Sequence, residues 1–268
     1  YWKIEDNGKT LRFYLRQNAT FHDNAPVTAR DAAFSIRRLF RIKPAPSILP
    51  HLLYIKGSQS YRQGKSDSVE GLTVVNDHEL VLKLNEPYAP LLRALAMYQA
   101  VIVPEHVVVD EGIAFSQAPV GCGPFKFVDW QPDQMIRLER FPDYYSGASY
   151  LDAIEYHIYP GAQRDKVLAD FQKGLLEEMP VFGSARQTLA ETENLHWVHR
   201  PSLSLLFYGI NMDHPLLKDQ RLRKALSLAI NRKKLVEKVY NNQFEAARTV
   251  LPPGMPAHNR EATLVGEN

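Results

Sequence analysis

At 268 residues with 45% hydrophobic content, the chain is long enough for one large or two ordinary domains with real cores, and nothing in its composition suggests disorder. A balance of 32 basic against 30 acidic residues leaves a formal charge of +2, which gives no electrostatic reason to expect nucleic acid or an anionic membrane as partner. Cys122 is the single cysteine, so no intrachain disulfide can form, and no apolar run is long enough to cross a bilayer as a helix.

The first predicted element is a hairpin. Residues 2–5 and 10–16 alternate apolar and polar around the turn Asp6-Asn7-Gly8. A chain that opens on a hairpin, with no signal peptide ahead of it, reads as the interior of a longer protein. Residues 15–40, LRQNATFHDNAPVTARDAAFSIRRLF, are the stretch around which the rest of the chain is organised: a strand end, a polar turn at His22-Asp23-Asn24-Ala25-Pro26, and a helix. Thr28 is the expected N-cap, Asp31 reaches back as the partner of a capping box, and Val27 and Ala32 stand where a hydrophobic staple would be. Ala32, Ile36, Leu39 and Phe40 share one face; Arg30, Arg37, Arg38 and Arg41 lie off it.

Lys43-Pro44-Ala45-Pro46 ends that helix, residues 48–55 form a short apolar segment, and residues 57–67 read as a turn of helix plus a loop. Residues 69–75 and 78–84 read as a second hairpin turning at Asn76-Asp77, with Leu80, Leu82 and Leu84 on one face. Pro87 opens a helix carrying Leu91, Leu92, Leu95 and Ala96, and Pro104 closes a strand over 100–103. Strands over 126–130 and 135–140 turn at Gln131-Pro132-Asp133; residues 151–159 alternate as a strand, and residues 164–173 form an amphipathic helix with Val167, Leu168 and Phe171 inward. Residues 204–211, SLLFYGIN, read as a buried strand and loop, and Asp219 caps a helix carrying Leu222, Ala225, Leu226, Ala229 and Ile230.

Four features could carry chemistry. His22-Asp23 could be an acid-base pair, but no third group orients the imidazole and the two are better turn formers. Val120-Gly121-Cys122-Gly123-Pro124-Phe125 lacks the third glycine and the lysine of a phosphate loop, and Pro124 removes an amide. Cys122 lacks an evident histidine partner and reads as a small buried thiol. His196-Trp197-Val198-His199 supplies two histidines without the further ligands of a zinc site, and no G-x-S-x-G elbow occurs. No enzymatic function, cofactor or metal is expected.

LRQNATFHDNAPVTARDAAFSIRRL resembles the signature of family 5 of the extracellular solute-binding proteins, the oligopeptide, dipeptide and nickel binders of ABC importers, close to LR-x-x-V-x-F-H-D-G-x-P-V-T-A-x-D-V-x-F-S. Asn24 replaces its glycine, and asparagine tolerates left-handed φ better than most residues. Four further stretches are similar to the family in order. IKGSQSYRQGKSDSVEGLTVVNDHELVLKLNEP is similar to the peptide-binding branch. The run at 120–125 is similar to G-T-G-P-Y, with Cys122 for Thr and Phe125 for Tyr. Residues 140–147 are similar to R-n-p-d-Y-w-x-g, with Tyr145 for Trp. Residues 219–236 are similar to d-x-R-v-R-q-A-l-s-x-A-i-D-r-x-x-l-v, with Asn231 for the helix-ending Asp. Gly174-Leu175-Leu176-Glu177 departs from the family's G-E-x-D.

The resemblance implies an α/β, periplasmic-binding-protein-like fold of type II, in the peptide-binder cluster, with a mixed-sheet lobe and an extra α+β subdomain. It divides the chain into a subdomain of the first lobe at 1–112, the main sheet of that lobe at 113–201, and the hinge crossing with the start of the second lobe at 202–268. It further implies a periplasmic or lipoprotein-anchored monomer that captures a peptide or other small solute in an interlobe cleft, closes by a hinge, and delivers it to an ABC permease in the inner membrane. A solute-sensing domain of a regulatory protein is the alternative. Groups that hold peptide termini in such proteins come largely from the second lobe beyond this chain, so the candidates for the cleft wall are Phe207, Tyr208 and Asn211. Core packing for Phe207 and turn formation for Asn211 are the simpler alternatives.

Overall fold

The computed structural model describes residues 1–111, 115–161, 163–181, 185–198 and 202–262, which form two compact units divided after Ala162. In the first unit, β1 (Trp2–Glu5) and β2 (Thr10–Tyr14) make the opening hairpin, and the turn between them places Asp6, Asn7 and Gly8 at positive φ. Helix α1 (Ala29–Leu39) comes next, then the short helices α2 (Leu49–Leu52) and α3 (Ser58–Arg62), the hairpin strands β3 (Leu72–Asn76) and β4 (Glu79–Lys83), and α4 (Leu91–Ala94) and α5 (Glu105–Glu111). The two hairpins join through β2 and β4 into an antiparallel sheet of order β1-β2-β4-β3, with Leu11 opposite Leu82 and Phe13 opposite Leu80.

Helix α1 starts as its sequence dictates. Thr28 Oγ1 accepts from the Asp31 amide, and Asp31 Oδ2 accepts from the Thr28 amide at 2.9 Å. The Ala29 amide donates to the Asp77 carbonyl at 2.7 Å and so ties the helix start to the β3–β4 turn. Ala32, Ile36, Leu39 and Phe40 are buried with Leu11, Leu80 and Leu82 of the sheet and with Ile48, Leu52, Ile55 and Leu91. Each such aliphatic side chain contributes about 1.5–3 kcal/mol by leaving water. Val81, expected on the polar side of β4, is also buried, because β4 lies between two strands.

Two further expectations in this unit fail. Residues 100–103 form no strand: the Val103 amide donates to Ser35 Oγ at 2.9 Å, so a hydroxyl on α1 takes the bond a neighbouring strand would have taken. The helix after Pro87 is one turn, α4, and Leu95 and Ala96 lie beyond it.

A second antiparallel sheet, β5 (Phe125–Gln131), β6 (Met135–Arg140) and β7 (Ala153–His157), completes the first unit. Its first turn places Asp133 at φ +59°, and a bulge interrupts β5 between Phe127 and Asp129.

The second unit holds α6 (Arg164–Gln172), α7 (Ala185–Leu189), α8 (Gln220–Ala229) and α9 (Arg232–Lys238). Asp219 caps α8 by accepting from the Arg221 amide at 2.8 Å, and the Arg221 guanidinium holds its carboxyl below the usual range. Arg223 donates to the carbonyls of Leu217 and Lys218 and so ties α8 to the turn before it. Asn231 does not end α8 but begins α9, accepting from the Lys234 amide at 2.9 Å. The apolar stripe of α8 is uncovered, with Leu222 and Leu226 both exposed.

Candidate functional site

The polar turn at 21–26 and the glycine loop at 120–124 meet in the first unit. Asn24 takes φ +70°, the left-handed conformation that strains asparagine least among non-glycine residues. The Asp23 carboxylate accepts from the Ala25 amide at 3.0 Å, closing an Asx turn, and accepts from His106 Nε2 of α5 at 2.8 Å. Phe21, Ala19 and Val27 form a small apolar cluster against which Cys122, Val120 and Tyr145 pack.

His22 joins the two segments with three bonds. Its backbone amide donates to the Gly121 carbonyl at 2.8 Å, its Nδ1 accepts from the Gly121 amide at 3.2 Å, and its Nε2 donates to the Gly123 carbonyl at 3.1 Å. Its ring meets Phe141 edge-on at 5.1 Å between centroids. Both nitrogens are therefore committed, and neither is free to act as a base. Burial lowers the imidazole pKa from its ordinary value, outweighing the Gly123 carbonyl, which acts the other way.

A concave pocket of about 250 Å³ opens where these segments meet β5, lined by His22, Asp23, Pro119, Val120, Lys126 and Phe127. Lys126 is held by Glu139 at 2.9 Å. Cys122 is half-buried, and burial pushes its thiol pKa up, away from the reactive thiolate. A second concavity of about 370 Å³ carries Lys9, Lys56 and Lys83 with Asp6, Thr10 and Asn85; Lys56 is paired with Glu70 at 2.7 Å. Among the described residues, no group of three or more His, Cys, Asp and Glu side chains could hold a metal ion. His199 of the paired histidines lies outside them.

The residues named for the cleft wall all lie in the second unit. Residues 204–211 are a correction to the expected buried strand: they pair with no described strand, and Phe207 and Tyr208 are 72% and 81% exposed. A strand is held by its neighbours' hydrogen bonds, and these residues have no such neighbour among the described ones. Asn211 Oδ1 accepts from the Asp213 amide at 3.0 Å, an Asx turn. The part of His22 was not visible in sequence, because nothing local connects position 22 with positions 121–123.

Residues 1–265 match the family described as bacterial extracellular solute-binding proteins, family 5 Middle. The chain belongs to this family. The dipeptide-binding protein of Escherichia coli (strain K12) is 26% identical over 272 residues, covering 96% of this chain and 50% of that protein. The oligopeptide-binding protein AppA of Bacillus subtilis (strain 168) is 27% identical over 252 residues, covering 90% and 43%. Among solved structures, the Escherichia coli murein tripeptide binding protein MppA superposes with a TM-score of 0.79 at 23% identity over 98% of this chain and 52% of that one, which establishes the family 5 fold. The chain spans about half the length of the curated relatives it matches. No helix among the described residues is long and apolar enough to cross a membrane.

Proposed function

We propose that this family 5 chain belongs to the substrate-binding component of an ABC importer, which captures a peptide or similar small solute and hands it to a membrane permease. The observation that carries this reading is the family match across residues 1–265. The names of its relatives, a dipeptide-binding, an oligopeptide-binding and a murein tripeptide binding protein, favour a short peptide as solute and lend nothing to the sensing alternative. Capture through backbone bonds and wet pockets, without chemistry, suits a receptor that must accept many side chains. A periplasmic, monomeric protein and the division 1–112, 113–201 and 202–268 are part of the same proposal.

Phe207, Tyr208 and Asn211 are the proposed cleft-wall residues. Two adjacent exposed aromatic rings offer the flat apolar contact that an aromatic peptide side chain stacks against, each such pair worth about 0.5–1.5 kcal/mol beyond burial. The test is native mass spectrometry of the complete gene product with a di- and tripeptide library, followed by titration of the retained peptides. Retained peptides released on denaturation are expected, and Phe207→Ala with Tyr208→Ala should weaken binding about tenfold. No retention from any peptide pool overturns the solute class. Retention indifferent to both substitutions overturns the site.

A further inference from the structure

We infer that His22 is a pH-sensitive latch: in its neutral, Nε2-protonated form it holds the Gly121–Gly123 loop against the 21–26 turn through both ring nitrogens, and on protonation it gives up the Gly121 amide, loosening that end of the loop and reshaping the adjoining pocket. The inference does not depend on which solute the protein carries. Its basis is the pair of ring contacts. Nδ1 must keep a lone pair to accept from the Gly121 amide at 3.2 Å, and Nε2 must carry the proton to donate to the Gly123 carbonyl at 3.1 Å. Only one of the three protonation forms of imidazole satisfies both. A second proton on Nδ1 would set one N–H against another, and the contact would become repulsive.

The surroundings resist that second proton without forbidding it. Burial against Phe141 disfavours the imidazolium and Lys126 of β5, itself paired with Glu139 of β6, opposes it. Asp23 favours it, but that carboxylate already accepts from His106 of α5 and from the Ala25 amide. Cys122 within the loop and, beyond it, Tyr145 are neutral groups whose pKa values are raised. The folded imidazole binds its proton less readily than the unfolded one, so the stabilisation is complete above the ordinary histidine pKa and is lost as pH falls below it. His22, Val120 and Lys126 all line the pocket of about 250 Å³, so loosening the loop at Gly121 alters that pocket directly.

The test is nuclear magnetic resonance of the uniformly 15N-labelled chain through a pH series, following the imidazole nitrogens of His22 and the hydrogen-exchange protection of the Gly121 amide. At neutral pH, Nδ1 should show the shift of an unprotonated acceptor and Nε2 that of an N–H. On acidification, Gly121 protection, corrected for intrinsic exchange, should fall about tenfold or more with the same midpoint as His22, below the ordinary histidine value. In His22→Gln, whose amide can still accept and donate but cannot titrate, that step should vanish; in His106→Gln it should remain. An Nδ1-protonated tautomer, Gly121 protection indifferent to the titration of His22, or loss of the step in His106→Gln would each overturn the latch. Should His22→Gln fail to fold, the titration of the unaltered chain and of His106→Gln decides by itself.

Discussion

Asp31 shows how much one side chain in this fold can carry. Its Oδ2 closes the capping box of α1, and its Oδ1 accepts from the Glu105 amide at 3.0 Å, so one buried carboxylate serves the first turns of α1 and α5. Four residues on, Ser35 Oγ donates to the Asp31 carbonyl at 2.7 Å and accepts from the Val103 amide, and Arg37 reaches Glu105 at 3.0 Å. Replacing Asp31 by Ala takes the acceptor from three part-buried donors, the Thr28 amide and hydroxyl and the Glu105 amide, and is expected to cost about 1.5–3 kcal/mol. Urea unfolding should show the lower midpoint with an unchanged slope, and Asp31→Asn should recover part of the loss. The capping box was legible because its spacing is local. The bond to Glu105, 74 residues away, was not.

Among the elements, the hairpins read best and the segments between them worst. Alternation and turn chemistry located β1 to β4 and the β5–β6 pair, since both signals lie within a few residues of the strand they define. Gly71 illustrates what such signals miss. It lies where three backbones meet: the Gly71 amide donates to the Lys56 carbonyl, the Lys56 amide to the Lys83 carbonyl, and the Lys83 amide to the Gly71 carbonyl. A Cβ on Gly71 would stand 2.3 Å from the Lys83 oxygen and 2.8 Å from the Lys56 nitrogen, both backbone atoms that cannot step aside. Gly71→Ala should therefore destabilise by about 1–3 kcal/mol through crowding alone. Gly64→Ala is the control for crowding, because nothing lies within 4 Å of its added Cβ; its φ of +72° leaves only local backbone strain. Thermal unfolding of the two variants side by side should show the larger loss in Gly71→Ala, and equal losses would refute the crowding argument.

At the scale of the whole chain, burial is divided very unevenly. Apart from Leu189 and Pro252, every buried apolar side chain among the described residues belongs to the first unit. In the second unit Leu206, Phe207, Tyr208, Leu216 and Val239 are exposed along with the stripe of α8. Local stability tracks buried apolar contact, so amide exchange of this 268-residue chain should be slow in β2, β4 and α1 and faster by about a hundredfold or more in α8 and α9. Equal protection in α8 and β4 would show that the leucine stripe finds cover in solution.

The sequence by itself determined the elements whose signals are local: the capped α1, the asparagine at left-handed φ in the 21–26 turn, the four hairpin strands, and the ordered motifs that place the chain in family 5. Capping, turn chemistry and alternation act over two to four residues, so they survive in any one-dimensional reading. Tertiary structure alone decided that residues 100–103 serve α1 and not a sheet, that 204–211 pair with no described strand, and that His22 commits both ring nitrogens to a loop about 100 residues away. Each of these depends on which partner arrives from far along the chain. A hydrogen bond or a buried face belongs to two segments at once, and the sequence of either one does not name the other.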